Sequence, residues 1–164
     1  MISLLYDESP ILGIALTVTP IVLLYNKQYR LTAISVVLLL VMIAFYRYTP
    51  HNNRYNDNEI VSPAEGRVTN ICILYGYLYV SIFLSPFNKH TQIYPVNGTV
   101  IHRVYDETGK FALATTIDKC HSNEKKIHTI QMYNGGLMQI TQIAGFLPRR
   151  IASSDIVPEK VNAG

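Results

Sequence analysis

The stretch Ser81-Ile82-Phe83-Leu84-Ser85-Pro86-Phe87-Asn88-Lys89-His90 joins an apolar run of strand character to a Ser-Pro turn, and it sets a histidine just past that turn. A histidine in such a place is held by a rigid edge yet can face a cleft. Its ordinary pKa of about 6.5 lets it give or take a proton near neutral pH. Alone the stretch proves little, because a histidine in a turn is more often a surface or hydrogen-bonded residue than a catalyst.

Outward from this stretch, residues 60 onward alternate short β-branched and aromatic runs with Gly, Pro and Asn turns. The runs are 67–74, 77–84, 98–104, 126–133 and 137–143. Gly76, Asn97-Gly98, Gly109 and Asn134-Gly135-Gly136 supply the turns between them. Asn134-Gly135 between two strand-like runs is a strong hairpin signal. The pattern predicts about seven or eight short strands and few soluble helices, hence a mainly β, compact barrel or sandwich domain.

The amino-terminal part has a different texture. Residues 11–25 and 31–46 carry no charge, and only Asn26-Lys27-Gln28-Tyr29-Arg30 separates them. As helices the runs would each be roughly 24 Å long, against a bilayer core of about 30 Å, so they are marginal as separate spans. Tyr25 and Tyr46 end the runs as interfacial aromatics do, and Lys27, Arg30 and Arg47 can snorkel. A buried helical pair in a soluble core is the competing reading. The leader carries Asp7 and Glu8 rather than a basic segment, which argues against a cleaved signal peptide. The expectation is a transmembrane or membrane-embedded helical hairpin at 1–46, a polar linker at 47–59 and the β domain at 60–164.

The charged fraction is 15% and the net charge +3. That balance excludes a nucleic-acid partner, since no basic stripe interleaved with aromatics occurs, and it suits an anionic membrane surface. Cys72 and Cys120 are too few for a disulfide framework and match no zinc spacing, so two reduced cysteines and no metal are expected.

With the opening stretch's own turn there are five ordered pieces: Ser62-Pro63-Ala64-Glu65-Gly66, Ser85-Pro86-Phe87-Asn88-Lys89-His90, Pro95-Val96-Asn97-Gly98, Asn123-Glu124, and Gln142-Ile143-Ala144-Gly145-Phe146-Leu147-Pro148-Arg149-Arg150. In this order and at these gaps they resemble the phosphatidylserine decarboxylase family in its shorter form, over about residues 45 to 164. The resemblance implies a carboxy-lyase that converts phosphatidylserine to phosphatidylethanolamine and carbon dioxide. It implies a proenzyme that cuts itself at a Gly-Ser bond, with the new terminal serine becoming a pyruvoyl group. It also implies a phospholipid membrane, a pyruvoyl-bearing α-chain and a homodimer as partners.

The resemblance further implies roles for named residues. His90 stands where the family has a proton-transferring histidine. Glu65 stands where it usually has Asp, as the carboxylate that orients the imidazole. The extra methylene of Glu65 shifts that contact by about 1 Å, a misplacement that costs catalysis on the order of a hundredfold. Asn88 replaces a usual Asp, and Ile93 stands where longer members have a second histidine. His51, His102, His121 and His128 match no family motif and are expected to be surface or structural. Paired guanidinium groups suit phosphate or carboxylate recognition, so Arg149 and Arg150 are the substrate-contacting candidates. Asn123 and Glu124 are expected to fix a loop. On their own residues, Glu65 also fits a solvated turn carboxylate, and Arg149-Arg150 a solvated charge pair.

Residues 1–164 contain no Gly-Ser dipeptide. The chain therefore reads as the larger, β-chain part of such an enzyme, expected to be inactive alone. The alternative is a catalytically inactive relative that binds phospholipid head groups. A lipoyl or biotin carrier lacks its hairpin-tip lysine here, and no Gly-x-Ser-x-Gly elbow supports a hydrolase.

Overall fold

The computed structural model describes residues 10–47, 54–110, 122–145, 151–153 and 155–164. Among the described residues two helices come first, α1 (Pro10–Tyr25) and α2 (Tyr29–Phe45). The described residues then form six strands: β1 (Arg67–Leu74), β2 (Tyr77–Phe83), β3 (Gly98–Asp106), β4 (Lys125–Met132), β5 (Leu137–Ile143) and β6 (Glu159–Val161). The chain divides into two compact units. One gathers the helices with Ala64–Gly66 and Leu84–Thr91; the other holds all six strands. The units thus interleave along the sequence, whereas the sequence reading drew consecutive domains.

The helical pair forms where the charge-free runs predicted it. Lys27, at a left-handed φ of 58°, reverses the chain between the helices. The transmembrane expectation needs correcting. The helices have 16 and 17 residues, and among the described residues no helix is long and apolar enough to cross a membrane. At 1.5 Å per residue each stops a few ångströms short of a hydrocarbon core. Neither helix has a polar stripe. No side chain of α2 is buried, and Ile11, Ile21, Ile34 and Val37 stand more than half exposed.

β1 and β2 form an antiparallel hairpin closed by Tyr75-Gly76, with φ of 53° and 80°. Two positive φ values in a two-residue loop are the geometry whose twist matches paired strands. The remaining strands form one antiparallel sheet in the order β5-β4-β3-β6. Among the described residues both sheets are open, so the architecture is mainly antiparallel β without a closed barrel. The five runs read as strands fall within a residue or two of β1 to β5. Three-residue β6 was not anticipated, because it is too short to show a period.

β4 decides where the core lies. Its residues alternate in burial, and Lys126, His128, Ile130 and Met132 point to the covered face. Ile130 and Met132 pack with Val96, Val100 and Val161 into the apolar core. Full burial of such side chains is worth roughly 1.5–3 kcal/mol each. Gly98 opens β3 so close to β4 that a Cβ would lie 2.4 Å from the Gln131 carbonyl oxygen. Asn97 donates to the Tyr55 carbonyl at 2.8 Å and accepts from the Ala163 amide at 2.8 Å. Pro95-Val96-Asn97-Gly98 is therefore a packing motif, with one core residue, one strand tie and one close approach.

Candidate active site

Three of the predicted site residues, Glu65, Asn88 and His90, lie in the helical unit. Their placement begins with the Ser-Pro turn. Asn88 N–H donates to the Ser85 carbonyl at 2.9 Å, and Pro86 occupies the second position that its fixed φ favours. The Asn88 Oδ1 accepts from the Ser85 amide at 2.8 Å and from the Ser85 hydroxyl at 2.7 Å. A turn locked from both ends delivers His90 in a defined direction.

His90 is half-buried and stacks on Phe45, the last residue of α2, with ring centroids 3.8 Å apart and planes 15° from parallel. Its amide donates to the Phe45 carbonyl at 3.3 Å. Its Nδ1 lies 3.0 Å from the Asn88 carbonyl oxygen. A carbonyl only accepts, so Nδ1 carries the hydrogen and Nε2 is the basic nitrogen. Among the described residues Nε2 has no hydrogen-bond partner. Burial pushes the His90 pKa below its ordinary value; the Asn88 carbonyl opposes this and the Arg47 charge adds to it.

Glu65 does not hold the imidazole. Its Oε1 pairs with Arg47 at 3.2 Å and its Oε2 with Lys89 at 3.4 Å, on a side chain 44% exposed. Desolvation pulls its pKa upward, but the Asn88 amide, Lys89 and Arg47 outweigh it and hold the carboxyl below its usual range. The orienting contact expected of Glu65 is made by the Asn88 backbone carbonyl. Glu65 and His90 share Arg47 as a charged neighbour.

That cation, Arg47, was read from sequence only as an end-of-helix residue. Its guanidinium donates to the Ala44 carbonyl at 2.9 Å and to the Phe87 carbonyl at 3.1 Å, and its own carbonyl accepts from the Thr91 hydroxyl at 3.3 Å. One side chain thus ties the end of α2, the Ser-Pro turn and the Glu65 turn together. Its position as the first charge after an apolar run, where the resembling family commonly has an Arg, was the signal.

The other predicted residues lie in the strand unit or outside the described residues. Asn123 is fully buried and donates to the Ala144 carbonyl at 2.9 Å, while the Ala144 amide donates to the Glu124 carbonyl at 2.8 Å. Glu124 also accepts from the Tyr105 hydroxyl, which pushes the tyrosine pKa up. Asn123-Glu124 and the Gln142-Ile143-Ala144-Gly145 segment are thus two halves of one loop clasp. Arg149, Arg150 and Cys120 lie outside the described residues; Cys72 carries a free thiol. Among the described residues no group of three His, Cys, Asp or Glu could hold a metal ion.

His128 has partners on both ring nitrogens. Arg103 Nε–H donates to its Nδ1 at 3.1 Å, so Nδ1 accepts, and Nε2–H donates to Gln142 Oε1 at 3.0 Å. Gln142 in turn donates to Gln92 at 3.0 Å. Arg103 also pairs with Glu159 and donates to Tyr94 at 2.8 Å, while buried Lys126 reaches Asp155 at 2.6 Å. Burial lowers the His128 pKa; Gln142 opposes this, and Arg103 and Lys126 add to it.

Comparison with known proteins accounts for the motifs that carry this geometry. Residues 38–164 match the phosphatidylserine decarboxylase family. A phosphatidylserine decarboxylase proenzyme of Cytophaga hutchinsonii is 34% identical over 131 residues, covering 76% of this chain and 59% of the relative. That of Parabacteroides distasonis is 34% identical over 134 residues, 76% of this chain and 60% of the relative. That of Chlorobium phaeobacteroides is 36% identical over 124 residues, 71% of this chain and 57% of the relative. The chain thus spans about three-fifths of the length of these curated relatives.

Proposed function

This chain belongs to the phosphatidylserine decarboxylase family, and from that premise we propose that it is the larger part of an enzyme that removes the serine carboxylate of phosphatidylserine. The observation that carries the proposal is the His90 imidazole. It is half-buried, stacked, fixed in one tautomer by the Asn88 carbonyl, and keeps Nε2 without a partner among the described residues. A lowered pKa keeps that nitrogen in its base form at neutral pH. In the reaction a carboxylate leaves as carbon dioxide and one proton is delivered to the carbon it left. His90 is the group that accepts and returns a proton, Asn88 orients it, and Arg47 with Glu65 sets the charge beside it.

Pyruvoyl groups act as electron sinks for such a carboxylate loss. No serine in residues 1–164 follows a glycine, so none of these residues fits as the precursor in the family's Gly-Ser context. No step is assigned through that group. Arg149 and Arg150 are kept as the pair that contacts the head group. The helical pair is proposed to lie in the lipid surface without crossing it. Helices apolar on every side require an apolar surrounding, and Lys27 and Arg30 sit at or beside the turn between them, where they reach anionic head groups.

One experiment tests both parts. The protein expressed from its full coding sequence is mixed with phosphatidylserine vesicles, floated on a density gradient and assayed for carbon dioxide. Flotation with release of carbon dioxide is expected. A processed protein that floats without releasing carbon dioxide leaves the head-group-binding alternative. A protein that neither floats nor turns over overturns both parts.

A further inference from the structure

The strand unit buries two cations side by side. Register pairs Arg103 of β3 with His128 and Tyr105 with Lys126 of β4, so Arg103 and Lys126 are diagonal neighbours. Their side chains are 4% and 3% exposed. A buried cation is kept only where acceptors surround it. Arg103 finds four in the body of the unit: His128, the Ile156 carbonyl, Tyr94 and Glu159 of β6.

Lys126 is served differently. Its Nζ donates to the Ser153 carbonyl at 3.2 Å and to Asp155 Oδ1 at 2.6 Å, and the Tyr105 ring centroid lies 5.4 Å away. Asp155 belongs to no helix or strand, and its side chain is 86% exposed. An ion pair with so exposed a member is weak. The ammonium is therefore the fixed half of this pair and the carboxylate the exchangeable half.

Unspent donors remain beside it. The Ser153 hydroxyl is buried and has no hydrogen-bond partner among the described residues, whereas buried hydroxyls are ordinarily paired. An ammonium has three N–H groups, and two of those on Lys126 are spent on Ser153 and Asp155. The local field draws anions. Lys126 holds the Asp155 carboxyl below its usual range, desolvation opposes this, and Arg103 and His128 add to it.

We propose that Lys126 and Ser153 form a binding site for a phosphate group, free or as a monoester, and that the Asp155 carboxylate is its built-in stand-in. A phosphoryl group carries roughly 1.5–2 negative charges at pH 7, so it outcompetes the single charge of Asp155 at the same ammonium. Its three terminal oxygens also accept from donors that one carboxylate oxygen leaves unserved. Lysine suits this role as a point charge, and the serine hydroxyl adds direction. The inference does not depend on the decarboxylase reading, and its test reads binding, not turnover.

The test is calorimetric titration of the full chain in mild detergent, at constant ionic strength, with inorganic phosphate, glycerol phosphate and acetate. Saturable phosphate binding at one site is expected. Asp155→Asn removes the competing charge from an exposed side chain and should tighten binding about fivefold, the size of an exposed ion pair written as a ratio. Lys126→Met keeps the volume and removes the ammonium; it should weaken binding at least about tenfold with the β circular-dichroism signal intact. Tighter binding of inorganic phosphate than of glycerol phosphate names free phosphate as the ligand, and the reverse names a phosphomonoester; both support the site. Acetate that binds as tightly as phosphate overturns the assignment. Equal affinity in wild type, Asp155→Asn and Lys126→Met marks adventitious binding and overturns it, as does a lack of saturable binding in Asp155→Asn. Should Lys126→Met fail to fold, Asp155→Asn decides alone.

Discussion

His90 and His128 are both shielded from water, and both have pKa values pushed down by burial, yet their surroundings are built to opposite ends. His128 spends both nitrogens on neighbours in a network of Arg103, Gln142 and Gln92. His90 spends one nitrogen on the Asn88 carbonyl and keeps the other without a partner among the described residues. A fully satisfied imidazole stabilises a fold, and one with an open basic nitrogen is available for proton transfer. Burial and a displaced pKa alone do not separate the two; the count of unspent ring nitrogens does.

The sharpest way to break this contrast is to remove each ring in turn. His90→Ala in the processed full-length enzyme is expected to lower turnover by about 10²–10⁴-fold, the range for a lost proton-transfer group. Its urea midpoint should stay near that of the wild type. Retained turnover in a fully processed variant would return His90 to the status of a turn residue.

His128→Ala is expected to show the opposite pattern. It leaves the Arg103 Nε–H and the Gln142 carbonyl unpaired in a buried place, which costs about 2–3 kcal/mol. The same histidine sets a pH dependence. Its folded pKa lies below the ordinary 6.5, so the unfolded chain binds the proton more readily. The stability it contributes is complete above 6.5 and is lost as pH falls through the lower folded value. Urea midpoints should therefore drop from pH 7 toward pH 5, less steeply in the alanine variant. Equal slopes in the two proteins would show that His128 titrates as it does in the unfolded chain.

The smallest effect is expected from Glu65→Gln. The ion pairs lost are partly exposed and screened by solvent, so the change in stability should be small. The informative readout is His90 itself, titrated by NMR. Without Glu65 the Arg47 charge acts on the imidazole with less compensation, so the His90 pKa should fall further. An unchanged value would mean that the carboxylate and the imidazole are uncoupled.

Local regularities carried much of the fold into the sequence. Charge-free runs marked α1 and α2, and alternation between Gly, Pro and Asn turns marked β1 to β5. Both are short-range properties, set by backbone geometry and by the solvent preference of neighbouring side chains. The Ser-Pro turn and its histidine were legible for the same reason, since Ser85, Pro86 and Asn88 build that turn from within four residues. Contacts across long separations decided the rest. Arg47 meets Phe87 forty positions away, Gln142 meets Gln92 fifty positions away, and neither pairing leaves a periodic trace. Glu65 was assigned to His90 by the order of motifs, and folding gave it instead to Arg47 and Lys89. A carboxylate goes to the cation that the chain path brings within reach, and only the folded chain fixes that distance.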